Sequence, residues 1–138
     1  SEPHYEGSPA VCGKAENGVS SAKGAHHFEA RAGHHLAPAT LATGQNVFDV
    51  LGEHFTLLAF GASEQDIQIF LDAARSEGVT LTVVNDTPGS QADRYQARWV
   101  LIRPDQFVAW VGQDITVSAD EARHLLRCAS GKATALAH

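Results

Sequence analysis

The sequence predicts an α/β domain on a mixed sheet, ordered β-α-β then β-β-α with helices on both faces, behind an irregular N-terminal segment. Three observations carry this reading. Phe55 to Phe60 is an almost wholly apolar run, as suits a strand buried on both faces. An amphipathic stretch and a β-branched run follow it with short joints, which implies a parallel pair. Farther on, Trp99-Val100-Leu101-Ile102 and Phe107-Val108-Ala109-Trp110-Val111 are separated by four residues only. Such a gap admits an antiparallel hairpin and no crossover helix.

The elements can be justified in order. Residues 1–40 read as an irregular linker or arm, because Pro3, Gly7, Pro9, Gly13, Gly18, Gly24, Gly33 and Pro38 interrupt any regular element. Residues 41–138 form the expected domain. Thr43 to Asn46 reads as a turn, and Val47, Phe48, Val50 and Leu51 as a helical turn ending at Gly52. After the Phe55 strand, Ser63 starts a helix with Asp66 three residues on, Ile67, Phe70, Leu71 and Ala74 share one stripe, and Gly78 supplies a left-handed cap. Val79 to Val84 is the second strand, and Asn85 to Ser90 a loop. Pro104 and Asp105 suit the hairpin turn. The last helix opens on Ser118 with Glu121 as a capping box, places Ala122, Leu125, Leu126 and Ala129 on one stripe, and stops at Gly131. This order is the one that thioredoxin-like domains use.

Composition narrows the function. The 138 residues carry a formal net charge of −6 and no cluster of Lys and Arg among aromatics, so nucleic acid is not an expected partner. No apolar run approaches the roughly 20 residues that span a bilayer, and no basic-then-apolar leader opens the chain. A cytoplasmic location is therefore expected. The chain has no Met, so Ser1 is not expected to be the untouched start of a gene product.

A thioredoxin-type redox site needs a low-pKa cysteine where the first long helix begins. Gly61-Ala62-Ser63-Glu64-Gln65 stands there instead. Cys12 and Cys128 form no C-x-x-C pair, and Cys128 lies late in the last helix, where the dipole disfavours thiolate. A disulfide between them stays open beside the preferred reading of two free thiols in a reducing compartment, with Cys128 buried and inert. The pairs His26-His27 and His34-His35 raise metal binding, but adjacent side chains diverge in extended backbone. His54 is read as a loop residue and His124 as a helix-surface residue. No phosphate-binding glycine loop and no nucleophile elbow is present. No catalytic, cofactor-binding or metal-ligating residue is assigned.

Val100-Leu101-Ile102-Arg103-Pro104-Asp105-Gln106-Phe107-Val108-Ala109-Trp110 resembles the L-x-R-P-D-x-x-V-A-W signature near the end of FAD-dependent aromatic-ring hydroxylases, flavoprotein monooxygenases similar to para-hydroxybenzoate and phenol hydroxylases. Gly33 to Pro38 resembles the family's G-x-R-x-P loop, and Thr43 to Leu58 its D-G-x-S-x-x-D-L-x-G-x-G-F-T-L-L run. Tyr5, Ser8 and Pro9 resemble the Y-x-x-S-P that precedes the last domain. His34-His35 and Thr43 depart from the pattern, at the places of a single basic residue and an Asp.

The resemblance implies a non-catalytic, thioredoxin-like C-terminal domain that supports the substrate domain or subunit assembly of a parent oxidoreductase. FAD and NAD(P)H would serve the parent and not this chain. The implied partners are the parent's flavin-binding and substrate domains, with a homodimer as an open alternative. Arg103, Pro104, Asp105 and Trp110 would be structural residues of the hairpin, with the arginine pairing an acid locally. Two other readings stay open: a free-standing thioredoxin-fold oxidoreductase using Cys12 or Cys128, and a His-rich metal-binding module.

Overall fold

The structure, a computed structural model, describes residues 29–114 and 116–131. Its elements run α1 (Val47–Val50), β1 (Phe55–Phe60), α2 (Glu64–Glu77), β2 (Leu81–Asp86), a 3₁₀ turn (Gln91–Tyr95), β3 (Trp99–Ile102), β4 (Val108–Gly112) and α3 (Ala119–Ala129). The sheet order is β2-β1-β3-β4. β1 pairs parallel with β2 and antiparallel with β3, and β3 pairs antiparallel with β4, so the sheet is mixed as the apolar run and the short hairpin joint require.

Local chemistry sets the helix boundaries where the sequence places them. The Ser63 hydroxyl accepts from the Asp66 N–H at 3.1 Å, and Gly78 ends α2 at φ +71. Ser118 likewise accepts from the Glu121 N–H at 3.1 Å. β2 differs from its expected span, because the Val79 N–H donates back to the Ala74 carbonyl at 2.9 Å and belongs to the helix cap. The strand therefore starts at Leu81 and runs on through Asn85 and Asp86, opposite Ala59 and Phe60.

Each face of the sheet has its own core. Leu57, Ala59, Trp99, Leu101 and Trp110 face α2 and α3, packing on Phe70, Ala74, Leu125 and Leu126. Leu58, Phe60, Val100, Ile102 and Val108 face the opposite way, onto Leu36, Leu41, Val47, Ala92 and Tyr95. Along β1 the side chains alternate between these cores, as a pleated strand dictates. On the first face Arg127 reaches from α3 to α2 and donates to both carboxylate oxygens of Glu77, at 3.1 and 2.9 Å.

The second face is covered mainly by irregular chain. Ala30, Leu36 and Ala39 are buried although the segment has few regular dihedrals. Its backbone groups are satisfied by the hairpin and the 3₁₀ turn: Ala30 N–H donates to Tyr95 O at 3.1 Å, Gly33 N–H to Val108 O at 2.8 Å, and Leu36 N–H to Gln106 O at 2.9 Å. Packing thus continues upstream of residue 41, through residues expected from their glycine and proline content to be linker.

The 3₁₀ turn carries no periodic signal and was not expected. It buries Tyr95 completely, with the phenol donating to the Ala37 carbonyl and burial raising its pKa. Asp86 fastens the same region: its carboxylate, 6% exposed, accepts from the Ala42 N–H at 2.9 Å and the Ser90 hydroxyl at 2.6 Å.

Because Leu36 is 1% exposed, Leu36→Ala should destabilise the fold by about 2–5 kcal/mol, comparably to Leu58→Ala. Denaturant unfolding checks this. An unchanged midpoint for Leu36→Ala would mean that the segment does not pack on the sheet.

Candidate functional site

The first place to seek chemistry in this fold is the N-terminal end of α2, beside the carboxyl ends of β1 and β2. Here the chain's own groups close it. Gly61 turns at φ +74, its N–H donates to Asp86 O at 2.9 Å, and a Cβ on it would meet Pro88 Cγ at 2.8 Å. The Asn85 side chain clamps Ala62 from both sides, accepting from its N–H at 3.1 Å and donating to its carbonyl at 2.9 Å. Ser63 caps the helix and its hydroxyl also donates to the Asp66 carboxylate at 3.1 Å.

This arrangement bears on cofactor fit. A helix N-terminus attracts a phosphate through free N–H groups and a positive dipole end. At α2 the Asp66 carboxylate and the Ser63 oxygen stand at that end, and at α3 Ser118, Asp120 and Glu121 do. The N-terminal ends of α2 and α3 therefore do not fit the diphosphate of FAD or NAD(P)H.

The motif residues at the hairpin divide between surface and core. Arg103 pairs with Asp105, whose other oxygen accepts from the Phe107 N–H at 3.3 Å. The turn is closed by Gln106 N–H to Arg103 O at 2.8 Å and Arg103 N–H to Phe107 O at 2.9 Å, with Gln106 at φ +73 and Pro104 exposed. Trp110 is 5% exposed and lies with its ring centroid 6.1 Å from that of Phe70, which is 4.8 Å from Trp99. Gly112 leaves room for it: a Cβ there would lie 2.3 Å from the Trp110 ring. Arg103, Pro104 and Asp105 thus shape a surface turn, and Trp110 is a core residue.

The histidines and cysteines are dispersed. His26, His27 and Cys12 lie outside the described residues. Among the described residues no group of three His, Cys, Asp or Glu side chains could hold a metal ion. His54 and His124 are exposed, in a loop and on a helix surface as expected. Cys128 is disulfide-bonded, which corrects the expectation of a free thiol. It sits near the end of α3 and packs partly against the helix-side core.

A feature missed from sequence is a strip of planar groups. The His35 ring lies 5.3 Å from that of Phe107, edge-on, and 6.0 Å from that of Phe48, while the Arg103 guanidinium stands 5.8 Å from the Phe107 centroid. Three segments distant in sequence converge there, and only pairing of His35 with Phe107 reveals it.

Comparison with known proteins agrees with these features. The family model described as aromatic-ring hydroxylase, C-terminal, matches residues 29–133. FAD-dependent monooxygenase opdD of Penicillium oxalicum is 35% identical over 97 residues, covering 66% of this chain and 18% of its own. FAD-dependent monooxygenase apdD of Emericella nidulans is 36% identical over 96 residues, covering 66% and 15%. Among solved structures, the rebeccamycin biosynthetic enzyme RebC with reduced flavin superposes with a TM-score of 0.70 at 27% identity, over 91% of this chain and 22% of that one. The chain thus spans about a fifth of the relatives it matches.

Alanine substitution should separate the two halves of the hairpin motif. Trp110→Ala is expected to cost about 3–5 kcal/mol and the half-exposed Arg103→Ala under about 1 kcal/mol, measured by chemical denaturation. Similar losses at both positions would contradict this division.

Proposed function

Because the chain belongs to the aromatic-ring hydroxylase C-terminal family, we propose that it is the non-catalytic C-terminal part of an FAD-dependent aromatic-ring monooxygenase. The observation that carries the reading is the closed N-terminal end of α2. Where a thioredoxin-fold enzyme would hold a reactive thiol, this chain has Ala62 clamped by Asn85 and Ser63 engaged with Asp66. Flavin, nicotinamide and aromatic substrate would be held by the parent's other domains. Arg103, Pro104, Asp105 and Trp110 serve to shape the hairpin and its packing.

The family match begins at residue 29 and takes in the buried side chains of Ala30, Leu36 and Ala39. Support of the preceding domains, with or without pairing of subunits, is the role this leaves. No described helix is long and apolar enough to cross a membrane. A cytoplasmic location forms part of the reading, and the disulfide at Cys128 opposes it, since reducing compartments keep thiols free.

Two measurements test this reading. The chain as isolated should show no flavin absorbance after incubation with FAD and gel filtration, whereas the complete reading frame should yield a yellow protein that oxidises NADPH or NADH with a phenolic substrate. A reading frame without a flavin-binding region upstream would refute the proposal. Thiol titration of the denatured, unreduced chain should find no reactive Cys128, and one should appear after reduction. Alkylation of Cys128 in a rapidly quenched lysate would show that the bond is absent in the cell.

A further inference from the structure

We propose, independently of the parent reading above, that Cys128 is bonded to Cys12 of the same chain, so that residues 13–28 form a strap from one face of the sheet to the other, which a dithiol opens. Cys128 is disulfide-bonded, no cysteine among the described residues is free, and the sequence holds two cysteines. Within one chain the partner of Cys128 is therefore Cys12.

The two ends of the strap lie diagonally across the domain. Where the described chain begins, the Ala30 N–H donates to Tyr95 O at 3.1 Å, and the Tyr95 ring centroid lies 6.4 Å from that of Phe60, the last residue of β1. Cys128 is at the other end of the sheet and on its other face. It packs partly on the helix-side core, and its neighbour Arg127 holds Glu77 at the end of α2. The turn after Glu77 meets the first residue of β1, where the Phe55 N–H donates to Thr80 O at 3.3 Å. The length of β1 and a layer on each face separate the two ends by roughly 25–30 Å. Fully extended, the chain from Cys12 to Glu29 reaches about 55–60 Å, enough to pass round an edge of the sheet.

The bond adds to a fold that is complete without it. Both described cores are drawn from residues 30–129, and the family match starts at residue 29, so neither core needs Cys12. Cys128 is half-buried at the end of α3, where a small dithiol reaches it. In the opening step a thiolate of the reduced dithiol attacks one sulfur of the bond, its second thiol closes onto the first, and Cys12 and Cys128 leave as two thiols. Two electrons and two protons pass from the dithiol to the chain. The strap is then held at residue 29 alone, while both sheet faces keep their cover.

Limited trypsin cleavage of the unreduced chain, read by mass spectrometry, tests the pairing, because Lys14 and Lys23 lie between the two cysteines. Before cleavage the chain should be a monomer two hydrogens lighter than after reduction. Cut at Lys14 or Lys23, the N-terminal piece should stay joined to the domain and separate once a dithiol is added. A piece that separates without reductant overturns the pairing, as does a covalent dimer through Cys128, since the partner would then be a second copy. Hydrogen exchange tests the strap. Reduction should speed exchange of the Ser130 and Gly131 amides, which bond to Leu126 O and Cys128 O, at least about fivefold while the β1 amides stay unchanged. Cys12→Ser should match the reduced chain, and it folds because position 12 lies outside both described cores. Equal exchange at the end of α3 with and without the bond overturns the strap.

Discussion

The structure depends on the burial of β1 from every side. Five of its six residues are buried, its two edges are taken by β2 and β3, and its side chains feed two separate cores. A strand of this kind commits the chain to a layer on each face. Amphipathic α2 and α3 provide one layer, locked to each other by Arg127 and Glu77. The other layer is provided by residues 29–51 and the 3₁₀ turn, which have too little regular structure to satisfy their own backbone groups. Their N–H groups are directed to the hairpin, to Tyr95 and to Asp86. Irregular cover is stable here because these partners are already fixed by the sheet.

The same economy of polar groups explains why the end of α2 is closed. An orphan N–H at a helix start needs a partner, as does every buried carbonyl around it. In a redox enzyme of this fold, part of that capacity is left to stabilise a thiolate. With no sulfur present, an unfilled site would leave unsatisfied groups, and Asn85, Ser63 and Asp66 fill it from within. Asn85 can do so because β2 continues two residues beyond its β-branched run, which places the amide opposite Ala59 and next to the loop. Fold and chemistry are separable in this domain, and the side chains that stand in for chemistry are ordinary capping residues.

Much of this architecture was legible in the sequence, for identifiable reasons. Apolar runs gave β1 and the hairpin, the stripe of Ile67, Phe70 and Ala74 gave α2, and Ser118 with Glu121 gave the start of α3. The second face was not legible, because Ala30, Leu36 and Ala39 are spaced without period among glycines and prolines, and burial of such residues is decided by the sheet they meet. The 3₁₀ turn escaped for the same reason. The role of Asp86 was hidden because an acid after a strand reads as a turn residue, when here it joins residues 42, 61 and 90. The bond at Cys128 was hidden too, since the spacing of two cysteines constrains no geometry. In the motif from Arg103 to Trp110, residue types gave the turn, but the separation of surface from core needed the register of β4.

That register links the hairpin's two faces. Gln106 adopts a left-handed conformation, which costs a non-glycine residue roughly 1–2 kcal/mol, and β3 carries an irregularity between Leu101 and Ile102. Both features sit at the closed end of the hairpin, where Arg103 and Asp105 hold the turn together. Their combined effect is to rotate the strand so that Val108 enters one core, Trp110 enters the other, and Phe107 stays at the rim beside His35. A turn with other geometry would slip β4 by a residue, exchange the faces of these side chains and leave Trp110 without the space above Gly112. The close spacing of Arg103, Pro104, Asp105 and Trp110 is therefore one constraint: a turn at the surface that sets the depth of a tryptophan in the core and the exposure of the phenylalanine between them.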